Sequence, residues 1–257
     1  MNTNFIMAFL LSFLAGAATA VGGALAFVIK KENLALLAVG LGFSAGVMVY
    51  VSFMELLPHA QHALTALYGA GAGQWLAVVL FFSGIGVACL IDRALPSHHV
   101  DAHTLDAATQ LKRLGIFTAL ALAVHNFPEG LATFLAAMDN KTLGVSIAIA
   151  VAIHNIPEGI AVALPVFHAT GKRGQAFWYS VFSGVAEPIG AVVGYFCFSF
   201  ILHEAALGVL FALVAGIMVY ISLDELLPTA HDYGNGHQVI GGVICGMAMM
   251  ALTLLLF

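Results

Sequence analysis

Residues 45–60, AGVMVYVSFMELLPHA, return at 215–230 as AGIMVYISLDELLPTA, identical at eleven of sixteen positions. Each copy is an apolar run ending in a carboxylate and a proline. What the repeat means depends on how often the chain crosses a membrane between the two copies. Composition settles that a membrane is involved. Of the 257 residues 61% are hydrophobic and 8% charged, and the mean hydropathy is +1.02, far outside the range of soluble globular chains. At about 20 apolar residues per helical span, the length supplies roughly eight or nine spans and leaves no room for a soluble catalytic domain. The net charge of −5 contains no basic block, so neither nucleic acid nor a polybasic lipid-binding surface is indicated.

Breaks in hydrophobicity predict eight transmembrane helices near 5–28, 34–57, 75–92, 114–137, 142–165, 176–201, 206–228 and 239–257. The intervening loops hold Lys30 and Lys31, then His59 and His62, then Arg93 to Arg113, Lys141, Lys172 and Arg173, His203 and Glu204, and His231 to His237. With the N-terminus outside, seven of the eight Lys and Arg residues face the cytoplasm and only Lys141 does not. Both termini are therefore expected on the periplasmic or exterior side of a bacterial inner membrane. Ala18-Thr19-Ala20 resembles a signal-peptidase site, but no Lys or Arg precedes the apolar stretch as such signals require. Cys89, Cys197 and Cys245 are far apart and each lies in an apolar run, which argues for packing rather than disulfides or a zinc clip.

In this frame the copies at 45–60 and 215–230 belong to helices two and seven, five spans apart. An odd separation makes them cross in opposite directions, so helices 1–3 and 6–8 are predicted to form an inverted repeat. Helices one and six agree more weakly, through Gly16/Gly184, Ala18/Ala186 and Gly22/Gly190. The predicted fold is all-α, three plus two plus three. Residues 1–92 form a first repeat, 93–113 a cytoplasmic His-bearing loop, 114–165 a central helix pair and 176–257 a second repeat.

The central pair carries the chemistry. His125-Asn126-Phe127-Pro128-Glu129-Gly130 recurs as His154-Asn155-Ile156-Pro157-Glu158-Gly159, within eight identities across 122–135 and 151–164. An ionisable side chain costs about 2.5–3.5 kcal/mol at a bilayer centre on insertion scales, so two His-Glu pairs there need a compensating partner, and a divalent cation is the obvious one. His and Glu stand at i and i+4, Asn and Glu at i and i+3, so one carboxylate lies beside both ligand candidates. Pro128 and Pro157 bend their helices and free the carbonyls of Val124 and Ile153. His125, Glu129, His154 and Glu158 give one metal set. Asn126, Asn155, Glu129 and Glu158, completed by Glu187 of the sixth helix, give an adjoining second. Imidazole and carboxylate without thiolate favour Zn2+, Fe2+, Mn2+ or Co2+ over Cu+, and protonation of His or Glu would weaken the site.

Three other readings compete. Intramembrane His, Asn and Glu also serve as helix-packing hydrogen-bond partners, but duplication of all five specified residues disfavours that. An intramembrane metalloenzyme would use His-Glu-x-x-His or Glu-x-x-His, and the spacing here is His-x-x-x-Glu. A proton-coupled carrier with the His-Glu pairs as a relay is disfavoured by Asn126 and Asn155, which do not titrate.

With these residues in view the chain resembles the ZIP family of divalent-metal transporters, most of all its bacterial zinc uptake permeases of the ZupT type. The resemblance covers essentially the whole chain. It is carried by the HNFPEG and HNIPEG pair, by Ala186-Glu187-Pro188 and by the His-bearing loop after the third helix. It implies an eight-helix bundle importing Zn2+, and often Fe2+, Mn2+, Co2+ or Cd2+, through a binuclear centre. His125, Glu129, His154 and Glu158 match the family's primary site, and Asn126, Asn155 and Glu187 its second. No prosthetic group is implied, the metal being cargo.

The repeat further predicts equivalent helix ends on opposite faces. Glu55, Pro58, His59 and His62 would form an outer vestibule, and Asp224, Glu225, Pro228, His231 and Asp232 an inner release path. Such helix ends are also commonly just solvated. The stretch from His98 to His103 could hold metal after release, although a solvated loop explains it too. His168 and His203 stand alone, and Met48, Met54 and Met218 read as packing. Small residues at Gly40-Leu41-Gly42 and Gly241-Gly242 permit close helix pairing within or between subunits, including a homodimer.

Overall fold

The computed structural model describes residues 3–28, 33–94, 107–139, 141–197 and 204–256. Lys30, Lys31, His203 and the His98–His103 stretch lie outside them, as does the side chain of His154. Among the described residues the secondary structure is helical throughout. The elements are α1 (Thr3–Ala24), α2 (Leu34–Val51), α3 (Leu57–Tyr68), α4 (Ala70–Ala94), α5 (Ala107–Asp139), α6 (Lys141–Thr170), α7 (Arg173–Gly184), α8 (Ala186–Cys197), α9 (Glu204–Tyr220), α10 (Leu227–Tyr233) and α11 (Gly236–Leu256). Three pairs, α2 with α3, α7 with α8 and α9 with α10, are continuous rods, so the described residues make eight. Seven rods are long and apolar enough to cross a membrane. The eighth, α5, is 33 residues long.

The second rod departs most from the sequence expectation. It runs on from 57 to Tyr68, so Pro58, His59 and His62 lie on a helix, not in a loop. A proline normally stops such a rod because its ring strikes the carbonyl four residues back. Here the turn before it widens. Ser52–Leu56 is π-helical, and the Leu57 N–H reaches the Ser52 carbonyl five residues back, which makes room for Pro58. The seventh rod repeats the device. Ile221–Leu226 is π-helical, the Leu227 N–H bonds the Ser222 carbonyl, and Pro228 follows, so His231 also lies on a helix. Each wide turn holds near its start a serine bonding back along its helix, Ser52 Oγ to the Met48 carbonyl at 2.6 Å and Ser222 Oγ to the Met218 carbonyl at 2.8 Å. The expected sixth helix is likewise irregular at one residue, Val185, between α7 and α8 and just before Pro188. The α5 helix starts at Ala107, so the expected cytoplasmic loop at 93–113 is shorter than predicted. His168 lies inside α6, buried, with Nδ1 2.9 Å from the Leu164 carbonyl.

Two groups of helices pack around separate seams. One holds α1, α5, α6, α7 and α8; the other holds α2, α3, α4, α9, α10 and α11. They meet where α2 lies on α6 and α5 on α9. Within both groups backbones approach closely at glycines, in matched sets. A side chain at Gly46 would strike the Val243 carbonyl, and one at Gly216 that of Phe81. A side chain at Gly84 would strike the Leu213 carbonyl, and one at Gly246 that of Phe43. Gly42 and Gly242 thus serve α2–α11 packing inside the chain, and Gly241 has nothing within 4 Å. Leu14, Phe82, Leu90, Phe182, Phe196 and Leu255 are exposed on the outside, the surface a hydrocarbon solvent accepts and water does not. Ala18 and Thr19 are buried in mid-α1, so the peptidase-like string is part of the packed bundle. Cys89 is half-buried and Cys245 exposed, both as free thiols, so Cys245 does not pack within the chain.

Candidate metal centre

Both motifs lie in the middle of long helices, α5 and α6, which pack against each other and against α1. Pro128 and Pro157 sit inside these helices. Ser44 Oγ of α2 donates to the Pro157 carbonyl of the second motif over 2.6 Å. His125, Asn126, Asn155, Glu158 and Glu187 are fully buried and Glu129 is nearly so. Buried polar groups at this density require partners, and two sets form.

In the first, His125 Nε2 stands 3.3 Å from Glu129 Oε1 and 3.1 Å from Glu158 Oε1. One imidazole nitrogen thus lies between carboxylates of two different helices. The Cα of His154 occupies the corresponding position on α6. In the second set Asn155 Nδ2 donates to Glu187 Oε1 and to the Ala15 carbonyl at 2.8 Å, while Asn126 Nδ2 donates to the Ser183 carbonyl at 3.3 Å. The amide oxygens Asn126 Oδ1 and Asn155 Oδ1 are buried and have no hydrogen-bond partner. Carboxylate, imidazole and amide oxygen in a water-excluded cluster are the donor types that hold a borderline divalent ion.

Serines absent from the sequence reading brace both sets. Ser12 Oγ donates to the Gly130 carbonyl at 3.2 Å and to the Glu187 carbonyl at 3.3 Å, and Ser180 Oγ donates to the Gly159 carbonyl at 2.9 Å. A side chain at Gly130 would strike the Glu187 carbonyl, and one at Gly159 that of Thr19, so the motif glycines let α8 and α1 approach.

The helix-end residues fall into two further places. Glu55 is half-buried, and His59, one turn on, has Nδ1 2.9 Å from the Glu55 carbonyl. His62 faces a cleft of about 430 Å³ that Pro58, Gln61, Thr65, Ala66 and Gln74 also line. At the other end Asp224 and Glu225 are joined by Asp92 of α4, with one carboxylate oxygen from each within 4.8 Å of the others. Tyr220 Oη donates to Asp92 Oδ2 at 3.2 Å. The sequence reading missed Asp92. Its signal was an acid closing the apolar run Cys89-Leu90-Ile91. His231 and Asp232 are exposed nearby on α10.

The family profile described as ZIP Zinc transporter matches residues 93–254. The chain is 48% identical to a protein named Zinc transporter ZupT of Clostridium perfringens (strain 13 / Type A), over 99% of this chain and 97% of that one. A Streptococcus mutans protein of the same name is 48% identical over the whole of both chains, and one from Chlorobium luteolum is 52% identical over 99% of each. With a family match over more than half its length and relatives of this identity end to end, the chain belongs to the ZIP zinc transporter family.

Proposed function

We propose that the protein carries Zn2+ into the cytoplasm across a bacterial inner membrane through an intramembrane binuclear site. As a member of a transporter family it is not an enzyme. The observation that carries the reading is His125 Nε2 held between Glu129 and Glu158 at 3.3 and 3.1 Å in a bundle of membrane-length helices. His154 completes the first site, and Asn126, Asn155 and Glu187 supply the second. The names of the relatives support Zn2+ as cargo. The oxygen-rich second set supports the harder Mn2+ and Fe2+ as further substrates, and Co2+ and Cd2+ are added from the family resemblance alone. Glu55, His59 and His62 serve as the outer entrance, and Asp224 and Glu225, with Asp92, as the inner exit.

The rods are related as an inverted repeat of 1–3 and 6–8 around α5 and α6, with both termini outside. Support comes from the two π turns at corresponding places in the second and seventh rods and from the matched glycine contacts. Metal content tests the binuclear reading. Purified protein equilibrated with Zn2+ and desalted should retain two ions per chain, and Glu187→Gln should retain one. A single ion per chain in the wild type would remove the second site.

A further inference from the structure

Helix α1 supplies no motif residue, yet its Thr19 is completely buried and its hydroxyl has no hydrogen-bond partner. A threonine inside a helix ordinarily bonds back to a carbonyl of its own preceding turn. Thr253 does so, to the Met249 carbonyl at 3.0 Å; Thr19, like Thr118 and Thr133, does not.

The surroundings of Thr19 repeat those of Glu187, contact by contact. Ser12 of α1 bonds the Gly130 carbonyl, as Ser180 of α7 bonds that of Gly159. Asn155 bonds the carbonyl of Ala15 on α1, as Asn126 bonds that of Ser183 on α7. A side chain at Gly22 would strike the Ile156 carbonyl, as one at Gly190 would strike that of Phe127. The spacing along the chain is the same in every pair, and it matches Thr19 with Glu187 and Asn126 with Asn155. Glu187 Oε1 accepts from the amide of Asn155. By the same pairing Thr19, shorter and uncharged, stands opposite Asn126 as Glu187 stands opposite Asn155, and Oδ1 is unpartnered on both asparagines. Thr19 Oγ1 lies 3.1 Å from where a Cβ on Gly184 would stand, next to Ser183, whose hydroxyl is also buried and unpartnered. One half of the pseudo-symmetric centre therefore has a buried, unpartnered hydroxyl where the other half carries the carboxylate of Glu187.

We propose that Thr19 is a specificity-determining residue of the metal path. With Asn126 Oδ1, its hydroxyl forms a neutral oxygen lobe beside the paired motifs, suited to oxygen-preferring ions such as Mn2+. Hydroxyl and amide oxygens are hard donors that replace hydration water on Mn2+ better than they compete with imidazole for Zn2+. Lacking charge, the lobe adds no further anion to a site that already holds several carboxylates, so it shifts preference among divalent ions without deepening the trap for all of them. The inference rests on the paired motifs being the transport site.

The test uses the full-length protein in liposomes and reads Mn2+ inhibition of Zn2+ uptake in wild type, Thr19→Val, which matches threonine in shape, and Thr19→Ser, which keeps the hydroxyl. The expected result is that Thr19→Val weakens Mn2+ roughly tenfold more than it weakens Zn2+, as loss of a metal-orienting group does, and that Thr19→Ser restores the wild-type ratio. An unchanged ratio in Thr19→Val, an equal loss in both variants, or a wild type that Mn2+ does not inhibit would overturn it. Should Thr19→Val not transport, equilibrium Mn2+ and Zn2+ binding to the detergent-purified variant replaces uptake, and an unchanged ratio there overturns the assignment equally. Zn2+ uptake that survives removal of both motif histidines would instead remove the transport site itself, whatever the Thr19 variants do.

Discussion

Glu158 shows how much of the centre a single side chain decides. It is fully buried, it comes from α6, and it meets the His125 ring of α5 at 3.1 Å, so it ties the two motif helices through one contact. Glu158→Gln keeps the shape and removes the charge that a divalent ion needs opposite it. Zn2+ uptake by that variant should fall by at least about tenfold, the lower bound for loss of a metal-site group, with helix content by circular dichroism unchanged. Uptake within twofold of wild type would mean that Glu158 only packs. The motif residues were legible because i, i+4 spacing is a geometric statement and because it occurs twice. Ser12, Thr19, Ser180 and Ser183 were not. Small hydroxyl residues are ordinary in membrane helices, and only the neighbour across the interface distinguishes a brace from filler. Asp92 escaped for a related reason: an acid at a helix end is usually solvated, and here the fold brings Asp224 and Glu225 to it.

Among the elements, the wide turns and the glycine seams were the features that periodicity could not foretell. Pro58 and Pro228 read as stops, and the sequence reading ended the second and seventh helices at or before them. A π turn is set by which carbonyl an N–H selects, a difference of one residue that no hydrophobic pattern records. Gly69, with φ at 83°, ends the second rod instead. The seam between α2 and α11 was half legible, since Gly42 and Gly242 were noted as small-residue faces without a partner being assigned. Gly46→Val drives a side chain into the Val243 carbonyl. Overpacking of this kind costs about 1–3 kcal/mol and should lower the melting temperature of the detergent-purified protein. Gly241→Val, with nothing within 4 Å, should change stability by less than about 0.5 kcal/mol. Equal melting temperatures would contradict the α2–α11 seam.

For the whole molecule, the division into two helix groups makes a mechanical prediction. Inverted repeats commonly work by rocking one bundle against the other around a fixed site, and α2 on α6 is the most extensive of the places where the groups meet. A side chain on Gly40 would meet Leu164 Cδ1 at 2.7 Å and Ile160 Cγ2 at 3.2 Å, and Cγ2 marks about where the sulfur of an Ile160→Cys side chain would stand. A Gly40→Cys, Ile160→Cys protein in a background without Cys89, Cys197 and Cys245 should stop transporting on oxidation and resume on reduction. Transport that continues through the cross-link would favour a channel-like path. The eight-helix plan was legible because hydropathy acts over whole spans. The sorting of helices into groups was not, because it depends on which glycine meets which carbonyl.

The most direct measurement is Zn2+ uptake into liposomes holding wild type or a protein with both His125→Ala and His154→Ala. Passage through the paired motifs predicts saturable uptake by the wild type and its loss in the double variant; equal fluxes in the two would contradict it.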